Sequence, residues 1–203
     1  MIERIVTSGQ FSLDGGTWDV DNNVWLFGDE DEVVVIDAAH DTNAIANAVG
    51  GRPVKAILCT HGHNDHINVA LELAAELEAP VLLHPADRML WDAVHDRAPD
   101  GDLTDGEVIT VAGTQLVVVH TPGHSPGGVC LVGQGVVFSG DTLFHGGPGA
   151  TGRSYSDFPT ILDSIRIRLL SLPGQTVVHT GHGDDTTIGA EAGAYDEWVA
   201  RGH

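Results

Sequence analysis

The stretch A-I-L-C-T-H-G-H-N-D-H-I-N-V-A-L-E-L-A-A-E-L-E, Ala56 to Glu78, joins an apolar run to an amphipathic one through a loop crowded with electron-pair donors. Its first part, Ala56 to His61, is short, apolar and bounded by polar residues, and reads as a strand. In its last part Ile67, Ala70, Leu71, Ala74 and Leu77 recur at three- and four-residue steps while Glu72 and Glu76 fall elsewhere. That spacing predicts a helix over 67–78 with one buried face. Between strand and helix, three imidazoles and a carboxylate occupy the six positions from His61 to His66.

Working outward, β-branched runs punctuated by glycine predict hairpins at 23–37, turning near Gly28-Asp29, and at 106–120, turning at Ala112-Gly113. A third hairpin carries Gly133-Gln134-Gly135 at its tip, and single strands are expected at 80–84 and 176–180. Weaker helical patterns cover 42–49, 86–94, 158–170 and 190–200. Hairpins must pair antiparallel, so their mixture with strand-helix steps excludes a purely parallel doubly wound sheet. The expectation is α+β: two mixed sheets packed face to face with helices on the outer faces.

With 203 residues, 42% of them hydrophobic, and no apolar run of membrane length, the chain is read as one domain spanning 1–203 with no membrane partner. The N-terminus shows no charged-then-apolar leader, so a cytoplasmic location is expected. Cys59 and Cys130 lie inside strand-like runs, where a cysteine is ordinarily a small buried hydrophobe. A formal charge of −20 repels polyanions and argues against a nucleic-acid partner.

The donors are not confined to one loop. His61 and His63 are two apart after a strand, so in extended backbone their side chains leave the same face and can clamp one cation. Asp65 and His66 are adjacent and diverge, which suits them to start a second site. Further along, His124 in H-T-P-G-H-S-P-G-G, Asp141 in F-S-G-D-T-L-F and His182 in V-V-H-T-G-H-G each follow an apolar strand among glycines. Seven donors suit two divalent metals: three imidazoles for one, Asp65, His66 and His182 for the other, with Asp141 able to bridge them.

The ordered motifs T-H-G-H-N-D-H, H-T-P-G-H-S-P-G, S-G-D-T-L-F and G-H-G resemble those of the metallo-β-lactamase superfamily, and within it the glyoxalase II-like (hydroxyacylglutathione hydrolase-like) branch, over roughly residues 20–190. The resemblance implies an αββα sandwich with a binuclear site at one edge. Carried over by position, it implies His61, His63 and His124 as ligands of the first metal and Asp65, His66 and His182 as ligands of the second. Asp141 is the implied bridge, Asp65 and Asp141 are the expected catalytic carboxylates, and the ions are expected to be zinc, with iron or manganese as alternatives. Longer glyoxalase II proteins continue into a helical domain that supplies basic residues for glutathione. Here twenty-one residues follow His182, so that domain is not expected, and another small thiol carrier or a non-thiol ester becomes the candidate partner.

His40, His84, His95, His120, His145, His179 and His203 match no motif position. His145 opens the loop H-G-G-P-G-A-T-G-R and is expected, with Arg153 at the loop's end, to contact substrate. Asp37 is read either as a partner that orients a ligand histidine or as a turn cap.

A water shared by two such ions has its pKa lowered from 15.7 to about 7, which supplies a nucleophile at neutral pH. An amine leaving group needs a proton, whereas a thiol with a pKa of about 8.5 departs as thiolate with little help. The expected activity is therefore hydrolysis of a small acyl thioester. A lactonase or esterase, and a mononuclear-iron persulfide dioxygenase, are the enzymatic alternatives. A structural zinc would have a closed shell rich in cysteine, so the open donor set favours an enzyme over a metal-binding or sensor protein.

Overall fold

The computed structural model describes residues 1–202; His203 lies outside the described residues. One six-stranded sheet contains, in spatial order, β1 (Ile2–Leu13), β2 (Gly16–Gly28), β3 (Val33–Ile36), β4 (Val54–Cys59), β5 (Val81–Leu83) and β6 (Gly101–Asp102). The first three pair antiparallel and β3 to β6 pair parallel. The other sheet is built from β7 (Val108–Val111), β8 (Thr114–His120), β9 (Val129–Gly133) and β10 (Val136–Gly140). A small hairpin, β11 (Leu143–Phe144) with β12 (Gly147–Pro148), then precedes β13 (Val177–Thr180) and β14 (Thr186–Thr187), which complete the second sheet. Only β10 and β13 run parallel there.

Side-chain alternation explains why the two sheets stack. Along β3, Val34 and Ile36 join Trp25, Phe27 and Leu58 in a core whose other half comes from the second sheet, including Leu116, Val118, Leu131 and Phe138. The intervening residues Val33 and Val35 point the other way, into a second core with Ile45, Val49 and Leu73. Those belong to helices α1 (Thr42–Val49) and α3 (Ala70–Leu77). On the far sheet Cys130, Val137 and Val178 face Ile161, Leu162, Ile188 and Trp198, from α5 (Phe158–Ser164), α6 (Ile188–Ala192) and α7 (Tyr195–Arg201). Strands apolar on both faces thus become the middle layers of a helix-sheet-sheet-helix sandwich, as expected. Both cysteines are free and fully buried; desolvation raises the Cys130 thiol to about 11 and Cys59 well above its ordinary value, with Asp37 adding to the latter.

Four expectations change. Strand β1 and the outer half of β2 were not foreseen, because along β1 exposed residues alternate with ones that are mostly only partly buried, the start of β2 is largely exposed, and polar residues interrupt any apolar run. The helix expected over 67–78 is two helices, α2 (Asn64–Ile67) and α3. It breaks because the Ala38 amide donates to His66 O and the Asn68 side chain accepts from the His40 amide, docking residues 38–40 at the junction. The helix expected over 86–94 shortens to α4 (Arg88–Asp92) behind a single tight turn, and the one over 190–200 divides into α6 and α7.

Candidate metal centre

All seven donors lie just beyond strand ends from both sheets: His61, His63, Asp65 and His66 follow β4, His124 follows β8, Asp141 follows β10 and His182 follows β13. Their polar atoms converge. His63 Nδ1 stands 3.0 Å from both His61 Nε2 and His124 Nε2. His66 Nε2 stands 3.2 Å from His182 Nε2, and His182 Nε2 lies 3.4 Å from Asp65 Oδ2. Asp141 sits between these groups, with Oδ1 3.4 Å from His66 Nε2 and Oδ2 at 3.5 and 3.4 Å from His124 and His182. Two three-donor sets, His61/His63/His124 and Asp65/His66/His182, therefore face each other across one carboxylate.

Local structure aims the rings. Thr60 Oγ1 donates to Asp37 Oδ2 at 2.9 Å, so its lone pair accepts from His61 Nδ1 at 3.1 Å. His66 Nδ1 meets Asp37 Oδ2 at 2.8 Å, His124 Nδ1 donates to Ala150 O at 2.7 Å, and His182 Nδ1 donates to Asp21 O at 2.7 Å. An imidazole that donates through Nδ1 keeps a lone pair on Nε2, so each of these contacts prepares a ligand. Asp37 is accordingly an orienting partner rather than a simple cap, and its other oxygen accepts the Thr60 amide at 2.7 Å. Gly181 makes room: a Cβ there would stand 2.2 Å from Asp141 Oδ1.

The donors also fit a cation on electrostatic grounds. Asp65 Oδ1 and Asp141 Oδ1 are buried without a hydrogen-bond partner, and converging lone pairs repel unless positive charge lies among them. The two sets differ in their protons. Burial, reinforced by His66 and His63, holds His61 well below the ordinary imidazole range, and burial with His124 lowers His63 to about 3. Burial opposes charge on His66 and His182 too, but the carboxylates of Asp141 and Asp65 outweigh it. They hold His66 well above its usual value and bring His182 to about 10. Three imidazoles suit a borderline ion such as zinc, and the mixed oxygen-nitrogen set suits zinc, iron or manganese.

Two residues that motif reading missed complete the arrangement. Asn22, fully buried, donates from Nδ2 to Asp65 Oδ2 at 3.0 Å and is itself held by His40 at 2.9 Å. Asp87, also fully buried, accepts from the Gly62 amide at 2.8 Å, from Ser125 Oγ at 2.6 Å and from the Gly127 amide. It thereby ties the His61–His63 loop to the His124 loop. Neither had a local signal, since both act across contacts distant in sequence.

A cavity of about 240 Å³ opens onto the donors, walled by Phe11, Trp18 and Val20 of the β1–β2 hairpin and by Arg153, Ser154 and Ser156. Arg153 thus lines the cavity. His145 does not: it lies exposed at the tip of the β11–β12 turn, because Leu143–Pro148 and Phe144–Gly147 pairing turns it outward. Phe144, its neighbour, is the residue whose ring approaches His182, at 6.2 Å.

Comparison with known proteins agrees with this construction. Residues 17–182 match the family model described as the metallo-beta-lactamase superfamily. Over 184 residues the chain is 30% identical to the hydroxyacylglutathione hydrolase GloC of Haemophilus influenzae, covering 82% of this chain and 87% of that protein. Among solved structures, the BLEG-1 B3 metallo-beta-lactamase superposes with a TM-score of 0.82 at 30% identity, over 95% of this chain and all of that one. TTHA1623 in a di-iron-bound form superposes at 0.73 with 34% identity, over 85% and 93%. From strand order to donor set, then, this chain belongs to the metallo-β-lactamase superfamily.

Proposed function

We propose that the protein is a glyoxalase II-like thioesterase that cleaves an S-acyl conjugate of a small thiol. The observation that carries this reading is Asp141, a carboxylate set between two complete donor groups. His61, His63 and His124 would hold one ion and Asp65, His66 and His182 the other, with Asp141 placed between the two sets. A pair of divalent ions, zinc in this proposal, supplies hydroxide at neutral pH and polarises an acyl carbonyl. Asp65, fixed by Asn22, and Asp141 would keep negative charge beside the reacting centre; burial opposes their ionisation, and the positive charge gathered among the donors outweighs it. Phe11, Trp18 and Val20 shield it from water and receive apolar substrate surface.

The cavity also favours a good leaving group. Its ionisable lining residues are donors of the metal centre apart from Arg153, and a guanidinium is a poor general acid. With no uncommitted acid among the described lining residues, a leaving thiolate is easier to expel than an amine. Net charge of −20 supports a small-molecule partner over a nucleic acid.

The test is an assay of protein loaded with zinc, iron or manganese against S-lactoyl thioesters, lactones, a β-lactam and a persulfide, with oxygen uptake followed. Metal-dependent release of thiol without oxygen consumption is the expected result, lost in Asp65→Ala and His124→Ala. Oxygen uptake with the persulfide and no thiol release would replace the hydrolytic reading with the dioxygenase one.

A further inference from the structure

Arg153 is held in an unusual state of readiness. Its guanidinium carbon lies 3.8 Å from the centroid of the Trp18 ring and 5.6 Å from that of Phe11. Among the described residues its guanidinium donates no hydrogen bond and enters no ion pair. Arg4, Arg52, Arg88, Arg97, Arg166 and Arg168 all donate to protein acceptors. The acid that feels its charge is Asp14, whose Oδ2 already accepts the Ser154 amide at 2.9 Å.

The segment that carries it is anchored at both ends of the cavity. Ser156 Oγ accepts the Gly152 and Arg153 amides at 2.9 and 3.1 Å. Upstream, Ala150 O holds the ring of His124, so the arginine's loop and the metal centre share one backbone. Ser154 ties the same loop to the tip of the hairpin that carries Trp18. The result is a planar cation with one face on an indole, its N–H edge unclaimed, in the same cavity as His63, Asp65, His124, Asp141 and His182.

A guanidinium fork matches a carboxylate in two parallel hydrogen bonds, and stacking fixes its plane before a ligand arrives. In a chain this acidic, such a group also offsets the repulsion that an anionic substrate meets. We propose that Arg153, laid on Trp18, is the recognition point for a carboxylate of the substrate. The site then selects esters or thioesters carrying that carboxylate beyond the scissile carbonyl. This rests on the reading that the cavity takes an acyl ester or thioester, and it names the charge that such a substrate bears.

The experiment is calorimetric binding of non-hydrolysable thioether analogues to zinc-loaded protein. Two pairs are used, each a carboxylate and its carboxamide, with the acid on the acyl side of sulfur in one pair and on the thiol side in the other. The wild type is expected to bind the carboxylate of one pair about tenfold more tightly than its carboxamide, and the discriminated pair assigns the side. In Arg153→Gln the ratio falls to about one, and Arg153→Lys, a charge without the planar fork, retains an intermediate ratio. Equal binding of both members of both pairs by the wild type, no binding of any of them, or an undiminished ratio in Arg153→Gln overturns the inference. Because binding is read without turnover, a protein that discriminates the pair yet hydrolyses no ester keeps this inference and removes the hydrolytic reading.

Discussion

Asp87 shows how much of the metal centre depends on a side chain that touches no ion. Its carboxylate collects three donors, from Gly62, Ser125 and Gly127, in a position with no solvent exposure. Removing it leaves two buried amides without an acceptor and frees the loops of His61, His63 and His124 from each other. Asp87→Ala is expected to cost about 2–6 kcal/mol in urea unfolding, at about 1–3 kcal/mol for each of the two stranded amides. Zinc affinity of the three-imidazole set should fall by at least about tenfold, the scale seen when partners of metal ligands are removed. Unchanged zinc affinity at that set would show that the ligand loops hold themselves. The convergence of the seven donors was legible because each sits in a short motif after a strand. Asp87 and Asn22 were not, since the partners named above lie 18 to 43 residues away in sequence and only the folded chain brings them together.

At the scale of elements, β13 both delivers His182 and seals the sheet interface through His179. That ring packs 4.5 Å from Trp25 and 5.1 Å from Phe138 and meets Asp185 Oδ2 at 2.9 Å. Burial lowers its pKa below 6.5; Asp185 partly opposes this and Arg4 adds to it. The fold therefore prefers the neutral ring. Its stabilising contribution is complete above the unfolded-state value of about 6.5 and is lost as pH falls through 6.5 toward the depressed folded value. His179→Gln, compared with wild type in the same metal state, should show a shallower loss of stability between pH 7.5 and 5.5 in urea unfolding. An identical pH dependence would mean that the ring accepts its proton in place. Hairpins β7–β8 and β9–β10 and helix α1 were legible from local turn chemistry and periodicity. Strand β1 was not: it gains its order from twelve paired residues along β2 rather than from a buried face.

For the molecule as a whole, the two sheets matter because neither owns the site. One contributes His61, His63, Asp65 and His66 and the other His124, Asp141 and His182, so closing the shared core around Leu58, Leu116 and Phe138 is what brings the two donor sets together. Among the described residues no helix is long and apolar enough to cross a membrane. The long β1–β2 hairpin then reaches over the assembled centre, held there by Asn64, which accepts the Ser12 amide and donates to Gln10 O, each at 2.8 Å. The architecture was predictable because strands apolar on both faces must be covered on both faces. The cavity wall was less so, since Trp18 and Phe11 reach the site only through the unforeseen hairpin. The most direct test of the binuclear centre is zinc per chain by elemental analysis after equilibrium dialysis. Wild type should retain two ions and His182→Ala one; one ion or none in the wild type, or equal loading of both proteins, would contradict the account.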